Sequence, residues 1–234
     1  MLGNKGRATG WRNAMLVTVL AAAWPIHAQD AKSPYPTMAP IEQYRMPRDA
    51  EIAMARTAAP PSVSRDAEIM VLGQKNFEVA VPGKNGFICV VGRAFAGPTS
   101  NPEFWNQKNR SPICYNAAAV RSLWPYVLKQ TGMALAGASK AQIIDAVKTA
   151  VAKKELGVPE SGSMAYMMSK EAYLTDQGGH NLAHVMFELP RNGILKDDPD
   201  FFVSWDPAPV IEFNVPVGQW SDGTPVAASH TAHH

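Results

Sequence analysis

The chain has 234 residues, of which 46% are hydrophobic and 18% charged, with 22 Lys+Arg against 20 Asp+Glu and two Cys. This apolar content is too high for a disordered chain, and two Cys are too few for a disulfide-dense scaffold or a four-Cys zinc module. A net charge of +2 is too small for a dedicated DNA-binding protein.

The first 28 residues have the pattern of an export signal. Three cations without any acid precede an apolar run over residues 14–23, and small residues before Gln29 are typical of a cleavage site. The run is shorter than the roughly 18 to 20 residues that span a bilayer, which favours cleavage over an uncleaved anchor. The cations are Lys5, Arg7 and Arg12.

Removal of residues 1–28 changes the charge balance. The remaining chain has 19 Lys+Arg against 20 Asp+Glu, a net charge of −1. Nucleic acid and anionic membrane surfaces are therefore not expected as partners. The sequence predicts a soluble protein of the periplasm or the medium, with no integral membrane segment after cleavage and no cofactor.

Export also bears on Cys89 and Cys114. In an oxidising compartment, two cysteines are most simply explained as one disulfide. Two alternatives stay open at this point, namely a pair of free thiols and a Cys nucleophile with a His base.

Local patterns predict the elements of the first half in chain order. Residues 29–46 contain three Pro and predict an extended tether. A short helix is expected over residues 47–57, with Pro47 at its first position. Three β-rich runs separated by turn residues predict an antiparallel meander, followed by a loop over residues 97–112. The three runs are residues 69–72, 77–81 and 87–91.

Two helices and a second group of strands are predicted in the rest of the chain. Asn116 can cap the first helix, which Pro125 would kink or split. Ser139 and Gln142 form a capping box for the second helix, which Gly157 would end. Strands are expected near residues 164–168, 182–189, 201–205 and 210–217, with a closing turn over 220–225.

Together these elements predict the α+β class. The expected arrangement is a single domain over residues 47–226, in which antiparallel strands flank a central pair of helices. Residues 227–234 form a short His-containing tail.

His180 and His184 are the candidate site residues within this domain. On a helix, their spacing would put both rings on one face, as in metal sites. The preceding glycines and the strand-like residues that follow favour a strand, on which residues four apart are about 13 Å apart. A structural role is therefore favoured, while metal binding and general-base catalysis remain alternatives.

Several segments in combination resemble an uncharacterised family of exported bacterial proteins. The resemblance implies a bacterial, periplasmic protein and carries over no activity, cofactor or catalytic residue. The relatives are richer in His and Pro between the two histidines, which further weakens the metal interpretation here. The segments are Phe87-Ile-Cys-Val-Val91, Pro112-Ile-Cys-Tyr-Asn116, Tyr166-Met-Met-Ser-Lys170, Gly179-His180, His184-Val-Met-Phe187 and the run from Val215 to Pro225.

The leading functional hypothesis is an exported protein that binds a small molecule or a protein partner without catalysis. One alternative is a periplasmic hydrolase with His180 or His184 as its base. Another is a protein that binds copper or zinc weakly through the same histidines.

Overall fold

The computed structural model describes residues 33–176, 182–191 and 202–227. The predicted signal peptide (1–28), His180 and the tail residues 228–234 lie outside the described residues. Within the described part, helices accompany an eight-stranded mixed sheet, which confirms the α+β class. The helices are α1 (Arg48–Arg56), α2 (Pro61–Ser64), α3 (Ala117–Ser122), α4 (Trp124–Leu135) and α5 (Lys140–Ala152). The strands are β1 (Glu68–Leu72), β2 (Phe77–Val81), β3 (Ile88–Gly92), β4 (Ser111–Tyr115), β5 (Met164–Met167), β6 (His184–Pro190), β7 (Phe202–Ser204) and β8 (Val210–Pro216).

The first three strands do not form the predicted meander. The sheet order is β2-β1-β3-β4-β5-β6-β8-β7, so β1 lies between β2 and β3 and is parallel to β3. After β2, the chain crosses beside the start of β1, where a Cβ on Gly83 would lie 2.2 Å from the Glu68 nitrogen. Only glycine permits this close approach. The crossing takes the chain to the other side of β1, and for that reason the meander prediction is wrong.

Helices cover the two faces of the sheet unequally. Helices α3, α4 and α5 pack on one face, over a large core that extends from β1 to β8. Helix α1 packs on the opposite face, over a smaller core formed by alternate residues of β1, β3 and β4. We call these the large-core face and the small-core face.

Strand β4 begins inside the segment that the sequence predicts as a loop, residues 97–112, and continues to Tyr115. Pro112 argues against a central strand, because it has no N–H to donate to a ladder. The β4 ladder to β5 includes only Cys114 and Tyr115, so Pro112 removes no bond from that ladder. Cys114 stands directly opposite Cys89 on β3, and the two fully buried residues form a disulfide. The predicted bridge is therefore confirmed.

Helices α3 and α5 begin at the capping residues that the sequence predicts. The Asn116 side chain accepts from the Ala119 nitrogen at the start of α3, and Pro125 lies in the first turn of the separate helix α4. The Ser139 capping box is present in α5, which ends at Ala152, before the expected stop at Gly157. The helices do not lie between two groups of strands, because β4 pairs directly with β5.

The segment predicted as a tether is packed against the folded part over its described residues. Tyr44 is fully buried, and its hydroxyl donates to the Trp105 carbonyl at 2.7 Å. Tyr35, Met38 and Ile41 also pack against the large core. From Ser33 onward, this segment therefore belongs to the fold and is not an extended linker.

None of the helices within the described ranges combines the length and the apolar character needed to cross a bilayer.

Candidate functional site

A cavity of about 430 Å³ lies on the large-core face of the sheet. Its floor comes from alternate residues of β3 to β8, and its rim comes from the segment that joins β3 to β4. Most of the wall is apolar, and Val90, Ile113, Met186 and Val203 belong to it. Glu212 is the carboxylate residue among the described lining residues. A concave, mostly apolar space with a small number of polar groups is the usual form of a small-molecule site. We call the part of the wall around Glu212 the polar end of the cavity.

Glu212 has a second carboxyl group as its neighbour. Strands β6 and β8 are antiparallel, and Glu188 stands directly opposite Glu212 in their register. Opposite residues share one face of the sheet, with Cβ atoms about 4.5 to 5.5 Å apart. We call Glu188 and Glu212 the carboxyl pair. Two ionised carboxylates in this position would repel each other, which favours the protonated form of at least one of them.

Strand β6 places its acid inside and its large apolar residues outside. Glu188 is 1% exposed, while Phe187 and Leu189 are 37% and 39% exposed. Among the described residues, no other residue donates a hydrogen bond to either carboxyl oxygen of Glu188. A one-residue shift of register would turn Glu188 outward and Phe187 and Leu189 inward. The observed register instead places the carboxyl group of Glu188 on the face that carries the cavity. Such a group needs an explanation beyond folding.

Burial raises the pKa of both members of the carboxyl pair into the neutral range. Desolvation, with a contribution from the nearby Glu212, raises the pKa of Glu188 to about 8. Desolvation also raises the pKa of Glu212 to about 7, although hydrogen bonds from Trp205 and Asn214 oppose the shift. The Trp205 indole nitrogen donates to Glu212 Oε2 at 3.1 Å. The pair therefore changes its charge within the physiological pH range.

Tyr115 on β4 completes the polar end of the cavity. It is buried, lines the cavity and shares the large-core face with the carboxyl pair. Burial raises the pKa of its phenol well above the ordinary value, and the charges of Glu188 and Glu212 raise it further. The phenol therefore stays neutral and can take part in hydrogen bonding.

Arg93 is the cationic residue of the cavity wall among the described residues, but its guanidinium group is engaged elsewhere. It donates to Glu51 Oε1 at 2.9 Å, to the Tyr44 carbonyl at 2.7 Å and to the Val91 carbonyl. Desolvation lowers the pKa of Arg93 to about 10, so the group stays charged at neutral pH. Its charge is therefore matched to Glu51.

His184 lies at the start of β6, away from the cavity lining. It is half-buried, and its Nδ1 lies 2.8 Å from the Leu182 carbonyl oxygen. Desolvation lowers the pKa of the imidazole despite this bond to the backbone. Four positions separate His184 from Glu188 on the strand, which corresponds to about 13 Å. The structure does not bring His184 to the carboxyl pair.

The second predicted histidine, His180, is outside the described residues. In the ranges that the structure describes, no group of three or more His, Cys, Asp or Glu could hold a metal ion. The proposed pairing of His180 with His184, as metal ligands or as a base, stays a prediction.

Sequence reasoning missed the carboxyl pair, because the local pattern favours the opposite faces. Each acid stands between apolar residues, in Phe187-Glu-Leu189 and in Ile211-Glu-Phe213. A strand with apolar residues on both sides of a single acid places that acid on one face with its i±2 neighbours. For β6 this pattern would bury Phe187 and Leu189 and expose Glu188, whereas in the structure the face of Met186 and Glu188 is the buried one.

No family model, curated protein or solved structure matches the chain. The resemblance to exported bacterial proteins therefore stays an expectation from the sequence.

Proposed function

We propose that the mature chain is a single exported α+β domain that binds a small, largely apolar molecule in the cavity. The observation that carries this proposal is the cavity of about 430 Å³ with apolar walls and Glu212 at its polar end. Its volume lies within the range of about 300 to 1,000 Å³ that is usual for small-molecule sites. An unsatisfied carboxyl group directly behind Glu212 adds support, because folding alone gives it no role.

Binding follows from the chemistry of the wall. An apolar ligand body displaces water from apolar side chains, which is favourable by roughly 25 cal/mol for each Å² of apolar surface removed from water. Tyr115 and Glu212 offer hydrogen-bonding groups in the cavity wall, and Glu188 stands next to Glu212 in the sheet, so these groups would orient the ligand.

The test of binding uses a neutral fluorescent probe, N-phenyl-1-naphthylamine, and one variant that fills the cavity. Val203 lines the cavity and pairs with Glu212, so Val203→Phe would occupy ligand space. We expect saturable binding to the wild type and at least about a tenfold loss of affinity in the variant, since a buried side chain that overlaps the ligand costs about 1–3 kcal/mol.

The matched control is Val79→Phe, the same substitution on a strand residue that is 48% exposed and is not part of the cavity wall. It should bind the probe as the wild type does. Equal affinity in the two variants, or no saturable binding to the wild type, would overturn the proposed function.

Export is tested separately by the mass of the mature chain. Expression of the full sequence in a Gram-negative host should give a periplasmic protein that begins at Gln29, because the small residues before it fit a cleavage site. An intact N-terminus in the cytoplasmic fraction would contradict export and leave the binding proposal standing.

A further inference from the structure

The carboxyl pair restricts the chemical class of the ligand. Glu188 and Glu212 face each other across two hydrogen-bonded strands, and the Glu188 oxygens have no partner among the described residues. A carboxyl group that is neither hydrogen-bonded nor paired with a cation is costly to bury. A cationic donor at the polar end of the cavity would therefore compensate this cost.

The charged and titratable groups around the pair do not supply that cation. From β4 the neighbouring group is the Tyr115 phenol, and from β8 and the residues after β7 the neighbours are Asn214 and Trp205. Arg93 lines the cavity, but it is matched to Glu51. On β6, His184 is four residues away from Glu188. No resident positive charge in the described residues is free to neutralise the pair.

We propose that the ligand is a small amphiphile with a protonated amine, which lies between the carboxyl groups of Glu188 and Glu212. This inference rests on the proposed function. The apolar body of the ligand lies along Val90, Ile113 and Met186. The ammonium group donates to both carboxylates, and such charge-assisted bonds are about twice as strong as neutral ones.

Binding is accompanied by proton release. The free pair carries protons because burial raises the pKa of both carboxyl groups, to about 8 and about 7. The ammonium nitrogen keeps its three protons, and the carboxyl protons that it displaces pass to the buffer. At pH 7 we expect about one proton to be released for each ligand bound, and affinity to rise as the pH increases from 6 to 8.

The experiment compares three probes of equal chain length by calorimetry: n-octylamine, 1-octanol and octanoate. We expect the amine to bind at least about tenfold more tightly than the alcohol, because a hydrogen bond to a charged group is stronger than a neutral one. Octanoate should bind most weakly, since it brings a third carboxylate. Titrations in phosphate and in Tris give the number of protons released.

Two variants locate the effect. Glu188→Gln and Glu212→Gln should each remove most of the preference for the amine and keep the binding of octanol. Glu160→Gln is the matched control, because Glu160 is exposed and pairs with Arg121 at the surface. Circular dichroism reports the folding of each variant, and proton release by the wild type tests the inference without any variant.

The outcomes separate this inference from the function on which it rests. Equal affinity for octylamine and octanol, no proton release, or an unchanged preference in folded Glu188→Gln and Glu212→Gln would overturn the amine inference and leave apolar binding in place. Failure of all three probes and of N-phenyl-1-naphthylamine would overturn both.

Discussion

Two pairs of ionisable residues can be compared in this structure, and each contains a glutamate that is almost fully buried. Glu51 on α1 is 2% exposed and is matched by Arg93, with the Leu72 nitrogen as a further donor to its Oε1. Glu188 on β6 is 1% exposed and faces a second acid, Glu212. The first pair has opposite charges and satisfied hydrogen bonds, whereas the second consists of two acids, and no other described residue donates to the oxygens of Glu188.

The difference separates a structural role from a functional one. A buried ion pair with full hydrogen bonding ties elements together, and here it links α1, β1 and the segment after β3. A buried acid next to a second acid beside a cavity links no elements through an ion pair, and such groups with shifted pKa values cluster at functional sites. The half of the sheet near α1 is tied to that helix by the ion pair, and the half near β8 contains the carboxyl pair.

The largest expected effect comes from breaking the opposite-charge pair. Arg93→Leu leaves Glu51 buried without its cation, which should lower the free energy of unfolding by about 3–5 kcal/mol in urea titrations. Arg121→Leu is the control, since its pair with Glu160 is 60% and 46% exposed and contributes about 1 kcal/mol or less. Equal losses in the two variants would contradict a structural role for the buried pair.

The disulfide should contribute slightly less to the same half of the sheet. Replacing both cysteines, Cys89→Ala with Cys114→Ala, removes a bridge across a sequence separation of 25 residues. The chain-entropy model then gives a loss of about 3–4 kcal/mol, measurable by urea denaturation. Neither cysteine lines the cavity, so the folded variant should bind the neutral probe as the wild type does. Loss of probe binding in a folded variant would mean that the two halves are coupled.

The like-charge pair predicts a stability that falls as the pH rises. The folded state raises the pKa of Glu188 from 4.5 to about 8, so it binds more protons than the unfolded state between these values. The resulting stabilisation is complete below pH 4.5 and is lost as the pH passes 8, at up to about 1.4 kcal/mol per pH unit for each proton. Urea titrations at pH 6, 7.5 and 9 measure this loss.

In that experiment Glu188→Gln should flatten the decline, because the amide does not titrate. Glu160→Gln should retain the wild-type slope, since its partner Arg121 lowers the pKa of Glu160 and keeps it ionised throughout. A wild-type protein with constant stability over this range would contradict protonation of the buried pair.

The smallest effect is expected at His184. Because the residue is half-buried and is not part of the cavity wall, His184→Asn should change probe affinity by less than about twofold. Fluorescence titration of the folded variant gives this value. A large loss of affinity would move the candidate site from the carboxyl pair to the histidine.

The elements that sequence reasoning predicted well depend on short stretches of chain. The caps at Asn116 and Ser139 are satisfied by nitrogens three residues away, so the local residues decide them. The split at Pro125 has the same origin. The disulfide followed from two cysteines and an expected oxidising compartment, and no geometry was needed to identify the partners.

The failures concern neighbours that are distant in sequence. Alternating apolar residues identify a strand but do not reveal which strand lies beside it. The crossing at Gly83 therefore appeared as a hairpin turn, and the strand that contains Pro112 appeared as a loop. The segment before α1 appeared extended because its apolar residues, Tyr44 among them, have no regular period, although they pack against the core.

By itself the sequence predicted the α+β class, the caps at which α3 and α5 begin and, as the simplest of three alternatives, the disulfide between the two cysteines, because each depends on local hydrogen bonds or on residue identity. Only the tertiary structure decided that β1 and β3 run parallel and that Glu188 stands opposite Glu212. Register places a side chain on one face and beside one partner, and it depends on the packing of the whole sheet. For that physical reason, the candidate site became visible only in the fold.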